Sequence, residues 1–306
     1  MPNATATLAP VFILAAPYCG ASRLAACLGR HPQLCALPEL HLGLGERIGE
    51  LLDVGALDRG LTLDGLLRAL AQLHDNAQSE AAVQRGRAWL EARREAPVDG
   101  LYREILAAAG SRIVVVPDAQ SPLRPLALMR LQSLAPDARW LHVVRHPFVH
   151  GVEFARALRE RLFVPPDYLD HRRRPPEIDP QIPWLRCNSN LLEHAPLDDP
   201  ARYRLVRLED FDRQPQAVFG ELCRWLGISV DRATLAAMSD PGGWPFWDYG
   251  PPSAPLGLEL ESYESRASGS APTLDGFGLD APLPWREDRA GFAAEVRELA
   301  ERFDYR

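Results

Sequence analysis

The sequence has 306 residues, of which 46% are hydrophobic and 25% are charged, and these ordinary proportions exclude a disordered or fibrous chain. The net charge of −7 gives no electrostatic reason to expect a nucleic-acid partner, because such binding relies on clustered Lys and Arg. Lysine is absent, so all 34 basic residues are arginines. Schiff-base chemistry and a P-loop kinase with its phosphate-binding lysine are therefore excluded.

The first predicted unit is a strand, a glycine loop and a helix. Residues 11–16 are uniformly apolar, and no basic residue precedes them as in a signal peptide, so a buried strand is expected. Gly20 follows in a loop, and residues 22–28 have helix-forming composition up to Gly29. The N–H groups at such a helix start attract phosphate or sulfate, although a plain turn has the same pattern.

Three further apolar runs, at residues 113–116, 140–144 and 203–208, predict more strands. Strands that are apolar on both faces belong to parallel sheets covered by helices, which indicates a three-layer α/β/α fold. We expect one domain over residues 1–306. Residues 46–110 show a helical pattern that predicts an insertion or cap, and residues 239–284 are rich in Gly, Pro and Ser. That composition predicts an irregular C-terminal region, which precedes a final helix expected at residues 289–303.

The cysteines suggest a reducing compartment. They are odd in number and form no CxxC pair, which argues against a disulfide framework or a zinc ribbon. No apolar stretch reaches the ~18 residues of a membrane-spanning helix. We expect a cytoplasmic protein without a membrane partner, and its oligomeric state stays open. The cysteines are Cys19, Cys27, Cys35, Cys187 and Cys223.

Residues 10–39 resemble the opening of the sulfotransferase family, specifically its bacterial and tyrosylprotein branches. That family has a strand, Pro-Arg-Ser-Gly-Thr-Thr, a helix, His-Pro and a glutamate, and the alignment here needs no gaps. The matching residues are Pro17, Gly20, Ser22, Leu24, His31, Pro32 and Glu39.

Two later segments are similar to the same family. Residues 140–147 resemble a strand ending in Arg-Asp-Pro, whose arginine holds the 3′-phosphate of the donor, and Arg145 occupies that position. Its position beyond the carboxyl end of a strand suits a ligand-binding arginine, and a surface ion pair is the alternative. Residues 203–227 resemble the family's Arg-Tyr-Glu-Asp-Leu strand and following helix, and residues 285–286 resemble its ending.

The resemblance implies a P-loop-like fold and transfer of a sulfuryl group, without a metal. The donor would be 3′-phosphoadenosine 5′-phosphosulfate, and the acceptor a hydroxyl of an unidentified small or natural-product-like molecule. Glu39 matches the catalytic base of the tyrosylprotein branch, and His41 would face the same side of an extended segment. A helix N-terminal acid is the alternative for Glu39. The predicted donor-binding residues are Tyr18, Cys19, Gly20, Ala21, Ser22, Arg23, Arg145, Glu153 and Arg207.

Several of these positions depart from the family pattern. Tyr18 stands at the loop Arg or Lys, Cys19 at the Ser and Ala21 at the first Thr, while Glu153 replaces a serine after Arg145. An acidic Glu153 would repel a 3′-phosphate unless it points away or the ligand differs. The alternative function is therefore a family member with a lost or altered donor site, acting as a binding or scaffold protein or on another anionic ligand.

Other residues are candidates for the same site. Arg23 and Arg207 are the candidates to restore a cation to the loop. Cys19, at a helix start, is a candidate reactive thiol. His146 and His150 have helical spacing for a metal, but the HExxH context is missing.

Overall fold

The computed structural model describes residues 8–58, 61–159, 161, 164–258 and 278–306. Its centre is a parallel sheet of five strands in the order β2-β3-β1-β4-β7, and β5 and β6 form a separate antiparallel pair. The strands are β1 (Val11–Ala15), β2 (Leu34–Ala36), β3 (Ile113–Asp118), β4 (Arg139–Val144), β5 (Leu169–Asp170), β6 (Glu177–Ile178) and β7 (Tyr203–Arg207).

The central strand β1 explains why the sheet forms where it does. All five of its residues are buried, and it pairs with β3 from Val11 to Val115 and with β4 from Val11 to Arg139. A strand without a polar face must be covered on both sides, which the flanking helices do. The predicted strands are confirmed, whereas β2 was missed because three residues carry too little periodicity.

Helices flank the sheet, so the expected α/β class with a central parallel sheet is confirmed. Four of them, α2 to α5, lie within residues 46–110, where the sequence predicted helices. The helices are α1 (Ala21–Leu28), α2 (Ile48–Leu57), α3 (Asp64–Asp75), α4 (Glu80–Glu91), α5 (Val98–Ala109), α6 (Pro125–Leu134), α7 (Pro147–Leu158), α8 (Gln181–His194), α9 (Leu208–Arg213), α10 (Pro215–Leu226), α11 (Arg232–Met238) and α12 (Ala294–Arg302).

The final helix starts later than the sequence predicted. Arg289 has a left-handed φ of 51°, which a helix does not accommodate, and α12 begins only at Ala294. Of the predicted irregular region, residues 259–277 lie outside the described residues. Within the described ranges, no helix has both the length and the apolar character needed to span a membrane.

The C-terminal residues close the sheet edge where β4 and β7 end. The Tyr305 hydroxyl lies 2.8 Å from Glu209 Oε2 and 3.3 Å from the carbonyl oxygen of Val144. Glu209 Oε1 in turn accepts a hydrogen bond of 2.8 Å from the His146 N–H. The start of α7, the start of α9 and the end of the chain are thereby fixed beside one another.

Candidate functional site

The glycine loop lies between β1 and α1, at the carboxyl edge of the sheet. Gly20 is the residue before α1 and has a φ of 78°, and a bond of 3.1 Å from the Cys19 N–H to the Ala16 carbonyl closes the turn. A Cβ at Gly20 would lie 2.8 Å from Leu208 Cδ1, so the Leu208 side chain at the start of α9 would have to shift to admit it. Glycine is favoured by the left-handed φ and by this close approach.

The rest of the loop is enclosed as well. Cys19, Ala21 and Ser22 are fully buried, and Tyr18 is almost so. Complete burial of Cys19 does not suit a thiol that reacts with solvent species, although its position at the loop is as expected.

Arg145 follows β4 and contacts the loop directly. Its Nη1 donates to Glu153 Oε2 at 3.0 Å and to the Tyr18 carbonyl at 3.2 Å, and both side chains of the pair are buried. Trp184 on α8 holds the Arg145 backbone, because its Nε1 donates to the Arg145 carbonyl at 2.8 Å. The pair is thus a buried ion pair beside the loop rather than the surface pair considered as an alternative.

Two histidines are buried near Arg145: His146 directly precedes α7, and His150 lies within it. His150 Nε2 lies 2.9 Å from the Pro17 carbonyl, and burial lowers the His150 pKa to about 3. The neutral ring therefore donates through Nε2, and Nδ1 is an acceptor without a hydrogen-bond partner in the described structure. Burial also lowers the pKa of His146 to about 4. Among the residues described, no three His, Cys, Asp or Glu side chains are grouped to hold a metal ion.

Tyr18 brings an arginine to the loop that the sequence did not reveal. Its backbone has a left-handed φ of 67°, and its hydroxyl accepts a hydrogen bond of 2.8 Å from Arg161 Nη2. The Tyr18 ring also makes an edge contact with Phe154 at 5.2 Å. The phenol thus links a guanidinium to the position where the family has a cation.

Arg23 and Arg207, the expected cations, both interact with carboxylates of α9. Arg23 pairs with Asp212 and lies 5.1 Å over the Phe211 ring. Arg207 Nε donates to Asp210 Oδ2 at 2.8 Å, and its Nη2 donates to Oδ1 at 3.2 Å. In this conformation neither guanidinium is directed to the loop by these contacts.

A second cluster lies on the other side of the loop and contains Glu39, His41 and Asp118. His41 Nε2 is 3.5 Å from Glu39 Oε2, and His41 Nδ1 is 3.8 Å from Asp118 Oδ1. All three residues are at least nine-tenths buried. The structure thus brings together the two residues predicted to act as the base and adds Asp118, which ends β3.

The three pKa values are shifted in different directions. Burial raises the pKa of Glu39 to about 7, against the opposing influence of His41. Burial disfavours protonated His41, but Asp118 and Glu39 outweigh it and raise the His41 pKa. Burial would raise the pKa of Asp118, yet interactions with His41 and Ser121 lower it. Asp118 is therefore the fixed negative charge, and Glu39 takes up or releases its proton near neutral pH.

Backbone contacts fix this cluster in position. The Glu39 N–H donates to the Gly257 carbonyl at 2.9 Å, and a Cβ at Gly65 would lie 2.0 Å from the Glu39 carbonyl oxygen. Asp118 Oδ2 accepts from the Ser121 hydroxyl at 2.5 Å, and its Oδ1 accepts from the Ser121 N–H at 2.8 Å. The carboxylates are thus held by α3 and by the turn after β3.

The cluster and the loop are neighbours at Ser22. The Ser22 side chain is one of the influences that oppose the rise of the Glu39 pKa. Ser22 belongs to the first turn of α1, whose N–H groups and dipole favour an anion. The predicted anion-binding loop and the predicted base consequently lie beside each other.

The chain is similar to known proteins in sequence and in structure. Residues 10–232 match the sequence model of the Sulfotransferase family. The sulfotransferase domain of the Synechococcus PCC 7002 olefin synthase is similar, with a TM-score of 0.73, 25% identity and coverage of 98% of this chain and 96% of that chain. A sulfotransferase domain from the curacin biosynthetic pathway has a TM-score of 0.67, 20% identity and 98% coverage of both chains. No curated protein sequence matches. The chain therefore belongs to the sulfotransferase family.

Proposed function

We propose that this protein transfers a sulfuryl group from an adenosine 5′-phosphosulfate to a hydroxyl, and the family resemblance implies 3′-phosphoadenosine 5′-phosphosulfate as the donor. The observation that carries the proposal is the buried pair of Glu39 and His41, 3.5 Å apart, with Ser22 of the loop near enough to influence the Glu39 carboxylate. Sulfuryl transfer needs an anion held in line with a hydroxyl and a base beside that hydroxyl. The glycine loop and the cluster of Glu39 and His41 are candidates for these two parts.

Each group has a distinct task in this proposal. The N–H groups at the start of α1 and the Ser22 hydroxyl bind the oxygens of the transferred group and of the leaving phosphate, on which negative charge builds up as the S–O bond breaks. Glu39 or His41 takes the proton of the acceptor hydroxyl as its oxygen bonds to sulfur, and the S–O bond to the nucleotide breaks. Asp118 is a positioning residue that keeps His41 oriented and basic.

Apolar side chains surround His41, which favours an acceptor with an apolar body. The side chains packed together on this side come from α2, α3 and the loops before them; the residues are Leu40, His41, Leu44, Leu51, Val54, Thr62, Leu63 and Leu66. The two similar domains come from an olefin synthase and from the curacin biosynthetic pathway, which supports a small or natural-product-like acceptor. The net charge of −7 favours such a partner over nucleic acid.

A second candidate function is binding without sulfuryl transfer. It is favoured by the ion pair of Arg145 with Glu153 and by Tyr18, which occupies the cation position of the loop. In that case the chain would hold another anionic ligand or serve as a scaffold, and its base cluster would be idle.

Titration calorimetry followed by a transfer assay separates the two functions. We expect adenosine 3′,5′-bisphosphate or adenosine 5′-monophosphate to bind the wild type, and Ser22→Ala to weaken that binding. With a ³⁵S-labelled donor and 4-nitrophenol or 1-octanol as acceptor, the wild type should form labelled ester and Glu39→Gln should not. Absence of binding of both nucleotides at high micromolar concentration would sink the proposal. Binding without transfer to any hydroxyl would favour the second candidate.

A further inference from the structure

The outer side of β7 is unpaired, because β7 ends the strand order of the sheet in the described part of the chain. The Trp140 N–H donates to the Arg202 carbonyl at 2.6 Å, and the hydrogen-bonding groups of a strand alternate between its two sides. Arg204 and Val206 therefore bond to β4, whereas Leu205 directs its N–H and its carbonyl oxygen outward. Neither of these two groups has a hydrogen-bond partner among the residues that are described.

Two neighbouring groups extend this unpaired row, the Tyr203 carbonyl and the Arg207 N–H, which the same alternation directs outward. The Tyr203 N–H lies outside the row, because it donates to the Asp199 carbonyl at 2.9 Å. Two donors and two acceptors therefore follow one another along β7, whose five residues span about 17 Å. A single added strand can pair with all four groups, in either direction.

A cavity of about 430 Å³ lies along the same side of β7 and includes Leu205 in its lining. Helix α10 borders it with Val218 and Leu222, and the segment that follows α12 borders it with Phe303. The strand therefore lies in a groove between two flanking elements. In a second copy of this chain the same elements flank β7, so they would collide before two β7 strands could pair. One extended segment can enter the groove.

The charged side chains that border the cavity balance one another. Arg204 Nη2 donates to Glu221 Oε2 at 2.7 Å, and the Asp210 carboxylate accepts from Arg207 at 2.8 Å and from Arg213 at 3.2 Å. A further carboxylate from the C-terminal segment makes three guanidiniums and three carboxylates in the lining. Such a lining selects neither an anion nor a cation and suits the neutral dipoles of a peptide backbone. An arginine extended over a strand can block pairing, but these arginines are engaged by α9 and α10.

We propose that the outer side of β7 is a docking site for an extended, uncharged segment of a partner protein, which joins the sheet as a sixth strand. The backbone of this segment pairs with the outward groups of β7, and its apolar side chains contact Leu205, Val218 and Phe303 in the cavity. Glu39 follows β2, at the opposite end of the strand order. Docking at β7 is therefore separate from the proposed sulfuryl transfer and does not rest on it.

Two variants of Leu205 isolate the backbone donor. Leu205→Pro removes the outward N–H, and proline is tolerated where that side of a strand has no partner. Leu205→Ala is the matched control, because it shortens the same side chain and keeps the N–H. Urea denaturation should give similar midpoints for the two variants, since the bonds to β4 are made by the neighbouring residues.

A phage library of random linear peptides supplies the probe. Peptides are selected on the wild-type chain and counter-selected on Leu205→Pro, and fluorescence anisotropy then measures the affinity of the enriched peptides. We expect peptides with alternating apolar residues that bind Leu205→Pro about 10-fold more weakly than Leu205→Ala, because one hydrogen bond and the close approach of the strands are lost. If no enriched peptide distinguishes the two variants, the inference is overturned.

Amide hydrogen exchange on the wild-type chain decides the question even if Leu205→Pro does not fold. Without peptide, the amides of Leu205 and Arg207 should exchange fast and that of Val206 slowly, because only Val206 bonds to β4. A peptide selected on the wild type should slow exchange at Leu205 and Arg207. Unchanged exchange at both amides overturns the inference. Exchange that slows with protein concentration alone would identify a second copy as the occupant and overturn it as well.

Discussion

His41 Nε2 lies 3.5 Å from Glu39 Oε2, and Asp118 Oδ1 lies 3.8 Å from the other nitrogen of the same ring. The imidazole is thus flanked by two buried carboxylates whose pKa values are shifted in opposite directions. This relationship distinguishes the two carboxylates: Asp118 stays charged, whereas Glu39 changes protonation near pH 7.

Replacing Glu39 with Gln tests the base. The amide keeps the size of the side chain but accepts no proton, so kcat should fall by about 10² to 10⁴, as for loss of a general base. The nucleotide affinity should stay within about threefold, because the affinity depends mainly on the loop. Rapid-quench measurement with the labelled donor gives kcat, and calorimetry gives the affinity. A variant with full activity would show that Glu39 is not the base.

The same substitution should raise stability at neutral and alkaline pH. The Glu39 pKa is about 7 in the folded protein against an ordinary 4.5, because burial disfavours the charge. Stability from the protonated form is fully present below the ordinary pKa and is lost as the pH rises through about 7. Glu39→Gln avoids that loss, so its free energy of unfolding at pH 8 should exceed the wild-type value by about 1–3 kcal/mol.

Urea denaturation at pH 4.5 and at pH 8 measures this effect. The advantage of the variant should be small at the lower pH and larger at the higher pH. An advantage that is constant with pH would mean that the gain comes from packing and not from the buried charge.

Asp118→Asn tests the positioning residue. Asp118 helps to raise the pKa of His41, so the neutral side chain should lower that pKa and move the acidic limb of the kcat profile to lower pH. Measurement of kcat between pH 5 and 9 shows the shift. A variant that is only less stable, with the limb in its original place, would limit Asp118 to a structural role.

Gly20→Ala should destabilise the loop for two separable reasons. The φ of 78° disfavours a side chain, and the new Cβ would lie 2.8 Å from Leu208 Cδ1. We expect a loss of about 1–3 kcal/mol in the free energy of unfolding. In a double-mutant cycle with Leu208→Ala, relief of the clash should reduce the cost of Gly20→Ala but not abolish it. Additive effects would exclude the contact with Leu208 as a cause.

The link between Tyr18 and Arg161 can be measured in the same way. Tyr18→Phe removes the acceptor of the 2.8 Å hydrogen bond, and Arg161→Met removes its donor. A coupling energy of about 1 kcal/mol is expected from urea denaturation of the two single variants and the double variant. A coupling near zero would show that the contact does not stabilise the loop.

Sequence patterns were sufficient to predict the sheet and to single out two candidate bases. The runs of β1, β3 and β4 are buried almost throughout, which allows few other arrangements, whereas β7 at the sheet edge carries the exposed Arg204. Glu39 was a candidate base because its distance along the chain from the loop matches the family without gaps, and His41 because it lies two residues further on. Contacts between distant elements were harder to predict. Asp118 and Arg161 reach the site through the ends of β3 and α7, and no local pattern signals that convergence.

The direction of a side chain was also beyond the sequence. Glu153 stood out as an acid in place of a serine, but whether it faced Arg145 or solvent depended on the orientation of α7. That orientation is set by packing, since a Cβ at Gly151 would lie 2.2 Å from the Trp285 ring. The family-like Trp285 therefore influences the charge balance beside the glycine loop.

The closure of the sheet edge by Tyr305 has a consequence for synthesis on the ribosome. The loop and β1 are synthesised long before Tyr305, which contacts Glu209 and Val144. Long sequence separation delays such contacts in folding. Until the segment after α12 docks, the nascent chain exposes the ends of β4 and β7. A chaperone is needed most during that interval.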